Sequence, residues 1–302
     1  MTSWRIFGQA DKPVVQAALL AHDEIEDWPA DFVIAGREIA PDRPDDWVIE
    51  AWLPHKPRKG DVAMLADLFG GDAPAFESEK LPDEDWVTLS QQGVDPIRAG
   101  PFRVRTPEHD PLGEDGTIEF VIPASQAFGT GQHETTAGCL AMLAEMRRTG
   151  VVVRNHADIG TGTGLLAFAA MRLWPAARAT ASDIDPVCEA VVADNMAANG
   201  VAAGTRRGQL TMTTAAGMEG PVLATRGPYD LLIANILAGP LVELSADFAD
   251  HVSPRGHLLL AGLLGEQEPR VREAYRLAGF HLVKRLVNGD WSILWLRKGT
   301  RR

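Results

Sequence analysis

Cysteine is scarce: the 302 residues hold only Cys139 and Cys188. The two lie far apart, each alone in a helix-like context, with no spacing that suggests zinc or a redox pair. A disulfide scaffold is excluded, and both thiols read as buried bystanders. Long apolar runs are missing as well. Met1 to Lys12 has none of signal-peptide length, and nothing approaches the about eighteen uninterrupted apolar residues of a membrane span. The chain therefore reads as cytoplasmic, with no membrane partner expected. It has no internal repeat and no low-complexity tract, which excludes solenoids and biased linkers.

Positive charge is also in short supply. Against 41 Asp+Glu stand 29 Lys+Arg, a formal charge of −12. Residues 1 to 100 carry 20 of the acids and 9 of the bases, so nearly all of the excess lies in the first third. A surface of that sign repels phosphate backbones, and direct nucleic-acid binding is not expected. A basic protein partner is attracted, although an acidic face also serves solubility alone. With 45% hydrophobic and 23% charged residues, the composition is that of a globular protein long enough for two domains.

What is present is organised around Asp158-Ile159-Gly160-Thr161-Gly162-Thr163-Gly164. Val151 to Val153 reads as a β-branched run before it and Leu165 to Ala170 as a buried helix after it, so the glycines sit at a strand-to-helix turn. Glycines there permit positive φ and close approach of a ligand to the main chain, while the helix start offers unpaired amides. Ahead of this turn, Ala127-Phe128-Gly129-Thr130-Gly131-Gln132-His133-Glu134-Thr135-Thr136 is a glycine-bearing loop before another helix. For His133 alone, surface or packing use is at least as natural as chemistry.

The amino-terminal third alternates small elements: a strand at Trp4-Arg5-Ile6-Phe7, a helix Val14–Ala21 opened by Asp11 and Pro13, strands at Phe32–Ile34 and Trp47–Leu53, and a helix with Val62, Leu65, Ala66 and Phe69 on one face. This β-α-β-β-α succession predicts a small sheet covered by two helices. Trp4, Trp28, Trp47, Trp52 and Trp86 are expected as core. Residues 83–123 read as a connecting region, with strands at Phe102–Arg105 and Ile118–Ile122 around a polar loop.

Beyond the turn, Arg178–Asp183 is a strand ending in an acid, placed to accept hydrogen bonds from the hydroxyls of a ribose. Asp185 precedes Pro186 and reads instead as a helix cap. Strands follow at Gln209–Met212, Tyr229–Asn235 and His257–Ala261. Asn235 ends a nearly continuous apolar run, where polar side chains of a parallel sheet meet the ligand crevice. Phe280–Val287 and Trp291–Leu296, joined through Asn288-Gly289, close the chain as a hairpin. A doubly wound, mostly parallel seven-stranded α/β sheet with an antiparallel terminal hairpin is the class I pattern expected of an S-adenosylmethionine-dependent methyltransferase. A dehydrogenase would leave the hairpin and the His133 loop unexplained.

Taken together, Phe128-Gly129-Thr130-Gly131-Gln132-His133-Glu134-Thr135-Thr136, Asp158-Ile159-Gly160-Thr161-Gly162-Thr163-Gly164, Asp183-Ile184-Asp185-Pro186 and Asn235-Ile236-Leu237-Ala238 resemble the PrmA family, methyltransferases of protein eleven of the large ribosomal subunit. The resemblance is specific over roughly residues 120 to 265 and weak over the first eighty. It implies a small α+β recognition domain at 1–82, a linker at 83–123 and a methyltransferase domain at 124–302. It further implies that Thr136, Gly160, Asp183 and Asn235, with Asp158, Gly162 and Gly164 of the same turn, contact S-adenosylmethionine. Phe128, His133 and Asn235 would lie at the methyl group, and the acceptor would be a lysine or N-terminal amine of a basic ribosomal protein. The rival readings are a methyltransferase of nucleic-acid bases and an inactive ribosome-binding module. The first lacks an aromatic residue after Asn235 to stack a flipped base.

Overall fold

The computed structural model describes residues 4–300 except 24, 26–27, 30–31, 41–42, 81–95, 108, 114–115 and 124–131. Near residue 93 the chain divides into two compact units.

In the first unit, β1 (Trp4–Asp11), α1 (Lys12–Asp23), β2 (Val33–Ala40), β3 (Arg43–Leu53), α2 (Lys59–Asp67) and β4 (Glu77–Lys80) follow in turn. The sheet order is β2-β3-β1-β4 with every pairing antiparallel, the ferredoxin-like βαββαβ arrangement. Strand β4 extends the expected succession. Its Glu-Ser-Glu-Lys side chains are all exposed, so no apolar alternation announces it, and its charges suit a sheet edge. Ile6, Val15, Ile49, Ala51 and Leu65 form the core. Trp4, Trp28, Trp47 and Trp52 are half-buried at its rim, which corrects the expectation that they fill it. The indole N–H needs a partner, and from the rim Trp28 reaches the Phe32 carbonyl and Trp47 that of Pro44. Trp86 lies outside the described residues.

The second unit opens with β5 (Ile97–Ala99), β6 (Phe102–Arg105) and β7 (Ile118–Val121), a three-stranded sheet. Ile97, Phe102, Val104 and Phe120 pack with Leu140 and Leu143 of α3 (Gln132–Arg148), so this segment shares the unit's core. Asn199 clamps it from the other side: its Nδ2 donates to the Val121 carbonyl at 2.7 Å and its Oδ1 accepts the Val121 amide at 2.8 Å.

The main sheet then builds in alternation: β8 (Asn155–Ile159), α4 (Leu165–Leu173), β9 (Arg178–Asp183), α5 (Val187–Ala198), β10 (Ala202–Ala203), β11 (Gln209–Thr214), α6 (Pro221–Arg226), β12 (Tyr229–Asn235), α7 (Ala238–Glu243), α8 (Ser245–His251), β13 (Val252–Leu264), α9 (Glu268–Leu277), β14 (Phe280–Asn288) and β15 (Trp291–Lys298). Its order is β10-β11-β9-β8-β12-β13-β15-β14. The two-residue β10 joins the seven expected strands, and β15 runs antiparallel to both of its neighbours. Leu231 and Ile233 of β12 face a core built with α3, α4 and α5, while Leu232 and Ala234 face a second core with α6 to α9. Burial on both faces is why this strand reads as an unbroken apolar run.

Two local readings shift. Val151–Val153 is not strand: Gly150, at φ +87°, ends α3, with Val151 N–H bonded to the Met146 carbonyl and Gly150 N–H to that of Arg147. Val151 is thus the apolar residue that closes a helix C-cap, and the strand begins at Asn155. The hairpin turn is Gly289-Asp290, because Asn288 still pairs with Trp291. Positive φ at Gly289 and not at Asp290 fits a turn with glycine in the first central position.

Candidate active site

Strand register brings three motifs to one level. Ile159 is level with Ser182 on one side and with Ala234 on the other, so Gly160, Asp183 and Asn235 emerge side by side from three adjacent strand ends. Neighbouring strands are about 4.8 Å apart, which puts Asp183 and Asn235 about 10 Å apart with the glycine turn between them. This is also where strand order reverses, the crevice at which open parallel sheets bind ligands.

The acid is already oriented. Oδ2 of Asp183 accepts the Gly162 amide at 2.8 Å and Oδ1 accepts the Asp185 amide at 3.1 Å. Each carboxylate oxygen keeps a lone pair for a further donor, which suits the paired hydroxyls of a ribose. Asp185 has the capping role expected of it, with Oδ1 accepting the Val187 amide at 2.9 Å. Gly162 has φ +53°, and a Cβ there would meet nothing within 4 Å, so its main chain faces open space.

The turn is braced from behind. Asp158 is only 1% exposed, and its Oδ2 accepts the Thr161 hydroxyl at 2.7 Å and the Ala167 amide at 3.1 Å. Burial pushes its carboxyl up to about 7, against the lowering effect of those two bonds. Its contacts are internal to the turn and the start of α4. Asn195, buried on α5, donates Nδ2 to the Thr163 carbonyl at 2.9 Å. Gly160 is required by the residue that follows β12: a Cβ there would lie 2.3 Å from Cγ2 of Ile236.

On the other flank, Asn235 Nδ2 donates to Thr135 Oγ1 at 3.4 Å. Thr135 and Thr136 are both buried in the first turns of α3. The terminal hairpin holds that helix start, since Asn288 Nδ2 donates to the Glu134 carbonyl at 2.9 Å and Gly138 lies too close to Ile293 for any side chain. His133 is in the same first turn, but its side chain lies outside the described residues, as does Phe128 altogether.

The family is decided by comparison. A family model described as Ribosomal protein L11 methyltransferase (PrmA) matches residues 29–299. The chain belongs to this family. It is 39% identical over 269 residues to the Ribosomal protein L11 methyltransferase of Sinorhizobium fredii (strain NBRC 101917 / NGR234), covering 88% of this chain and 90% of that protein. To that of Brucella suis (strain ATCC 23445 / NCTC 10510) it is 37% identical over 298 residues, covering 98% and 100%. The crystal structure of a ribosomal protein L11 methylase from Lactobacillus delbrueckii subsp. bulgaricus matches with a TM-score of 0.57 at 26% identity, over 68% of this chain and all of that one. As a PrmA-family methyltransferase the chain uses S-adenosylmethionine. The residues fit it: open main chain at Gly162, a carboxylate oriented by two backbone amides, and exposed apolar side chains after Asp183 and Asn235.

Those apolar side chains escaped the sequence reading. Ile184, 71% exposed, follows Asp183, and Leu237, 49% exposed, follows Asn235 by two residues. Both follow the strand ends that carry the acid and the amide, where a bound ligand would cover them. Asn195 was missed too; a polar residue on an otherwise apolar helix face was its only sign. Among the described residues no His, Cys, Asp and Glu group could hold a metal, and no helix is long and apolar enough to cross a membrane.

Proposed function

We propose that this methyltransferase modifies amino groups, lysine side chains, the N-terminal amine or both, on a ribosomal protein of the L11 kind. The observation that carries this reading is the shared level of Asp183, Gly160 and Asn235. It supports a cofactor held by Asp183, the glycine turn and Thr136, with the acceptor amine meeting it on the Asn235 side.

When bound, S-adenosylmethionine supplies an electrophilic methyl group on a sulfonium. The residues have to orient the nucleophile in line with it and exclude water. Because Asn235 Nδ2 is given to Thr135, Oδ1 is left to accept from the incoming amine and aim its lone pair. A lysine with a pKa near 10.4 must lose its proton, which costs about 4 kcal/mol at pH 7.4. Desolvation and an adjacent positive charge both lower that cost, so no dedicated general base is required. In this proposal Phe128 and His133 stand in the loop at the methyl group. The small acidic unit, within 1–82, recognises a basic substrate.

The test is to incubate the purified protein with labelled S-adenosylmethionine and a lysate of its own cells lacking this enzyme. A single small basic protein should carry the label, with the sites on amines by mass spectrometry. Label in RNA would favour the nucleic-acid reading instead. Replacing Asn235 by Ala should lower kcat about 100-fold while the cofactor Kd stays within about threefold.

A further inference from the structure

The opposite end of the main sheet carries a row of arginines. Asn155 is level with Arg178, His257 with Arg297, and Arg297 with His281, so the amino-terminal edges of β8, β9 and β13 line up with the hairpin ends. Arg154 precedes Asn155, Arg255 lies two residues before His257, and Arg206 and Arg207 lie in the loop before β11. Hydrogen bonds join these segments into one rim. Arg178 N–H donates to the Arg154 carbonyl at 2.8 Å, Arg297 Nε to the Arg255 carbonyl at 3.3 Å, and the Arg226 side chain to the carbonyls of Ala179 and Thr205.

Arg154, Arg178, Arg206, Arg207, Arg255 and Arg297 are all exposed, and none makes an ion pair among the described residues. Away from the rim, Arg5, Arg37, Arg105 and Arg285 each hold a carboxylate. Asp230, a carboxylate beside the row, is engaged by the amides of Arg154 and Asn155 through Oδ2. Burial drives His257 down to about 4, with Arg297 pushing the same way, Asp230 opposing and His281 adding to the lowering. Helix dipoles do not explain the charges, because their effect fades within the last turn and these six arginines lie outside the helices.

We propose that this rim binds the phosphate backbone of RNA, as a docking surface apart from the methyl-transfer site. From β11 to β15 it crosses five strand spacings, a line of positive charge about 24 Å long. Guanidinium forks match phosphate oxygens, and a line one strand edge deep follows a chain of phosphates better than it covers a lipid plane. RNA is preferred over other polyanions because the proposed acceptor is a ribosomal protein, and that choice rests on the proposed function; the binding does not. The expectation of no nucleic-acid contact came from the charge of the first third. The rim lies in the other unit, built from arginines scattered from 154 to 297.

The test uses the full chain and a fluorescein-labelled 20-nucleotide single-stranded RNA, read by anisotropy in 50 mM KCl. Binding with Kd on the order of 10 μM is expected, with a slope of log affinity on log salt of about −3 for four neutralised phosphates. The triple variant Arg178→Gln, Arg206→Gln, Arg207→Gln should bind about tenfold more weakly, with a slope shallower by about 2. Arg255→Gln with Arg297→Gln should weaken binding from the other end, and Arg270→Gln, on α9, should not. No binding by the unaltered chain, an unchanged Kd in both rim variants, or tighter binding to phosphatidylglycerol vesicles than to RNA would overturn the proposal. The readout needs no methyl transfer, so it stands or falls separately from the labelling experiment.

Discussion

The Gly162 amide donates to Oδ2 of Asp183 across 2.8 Å, joining the turn after β8 to the end of β9. A left-handed glycine presents that amide, and the amide fixes the rotamer of the acid. The two motifs, twenty-one residues apart, therefore form one preorganised element, and the ordering cost of the carboxylate is met in folding instead of in binding.

Asp183→Ala removes a charged acceptor of two ribose hydroxyls. Hydrogen bonds to charged groups contribute about 1.5–3 kcal/mol each, so the cofactor Kd by calorimetry should rise 100-fold or more. Asp183→Asn turns one acceptor oxygen into a donor facing either the Gly162 or the Asp185 amide. Its loss should be intermediate, roughly tenfold. If the Asn variant binds like the original chain, the ribose is held elsewhere.

Gly160→Ala tests the other side of the turn. Its Cβ would sit 2.3 Å from Cγ2 of Ile236, at a φ of +68°. Overpacking and the left-handed backbone together should destabilise by about 2–4 kcal/mol in urea unfolding. Adding Ile236→Ala should recover at least about 1 kcal/mol relative to additivity, because only the clash is relieved. Strict additivity would mean that Ile236 is not what excludes a side chain at 160.

Much of this arrangement was legible because the deciding residues end strands. Asn235 follows an apolar run and Asp183 the small residues Ala179 to Ser182, both on strands buried on both faces, so a polar residue with a longer side chain at their ends marks the carboxyl edge. What escaped has a different physical origin. Strand β4 buries nothing, so its sequence carries no period. Val151 looks β-branched and strand-like, yet its place is set by a helix cap that spans Met146 to Val151. Asn288 was read as a turn residue, while its amide is used on Glu134, 154 residues away. The arginine rim needs register across six strands before it exists at all.

Stability should show a maximum near pH 6.5 that depends on one buried carboxyl. Asp158 titrates at about 7 in the folded chain because of burial, against an ordinary 3.8. Its folded value is raised, so its contribution is complete below about pH 4 and is lost as pH rises through 7. His156, fully buried with neither ring nitrogen partnered among the described residues, and His257, whose Nδ1 accepts the Trp295 indole N–H, are both pushed down to about 4 from 6.5 by burial. They act in the opposite sense: their contribution is present above 6.5 and is lost as pH falls toward 4. Two histidines outweigh one carboxyl on the acid side, so stability rises from pH 4 to 6.5 and then falls slightly toward 7. Asp158→Asn keeps an acceptor for Thr161 and Ala167 without the charge. It should match the original chain near pH 5 and exceed it by 1 kcal/mol or more at pH 8, up to about 3. Urea midpoints taken between pH 5 and 8 read this directly. A variant less stable than the original at pH 8 would show that the ionised carboxylate is what the turn requires.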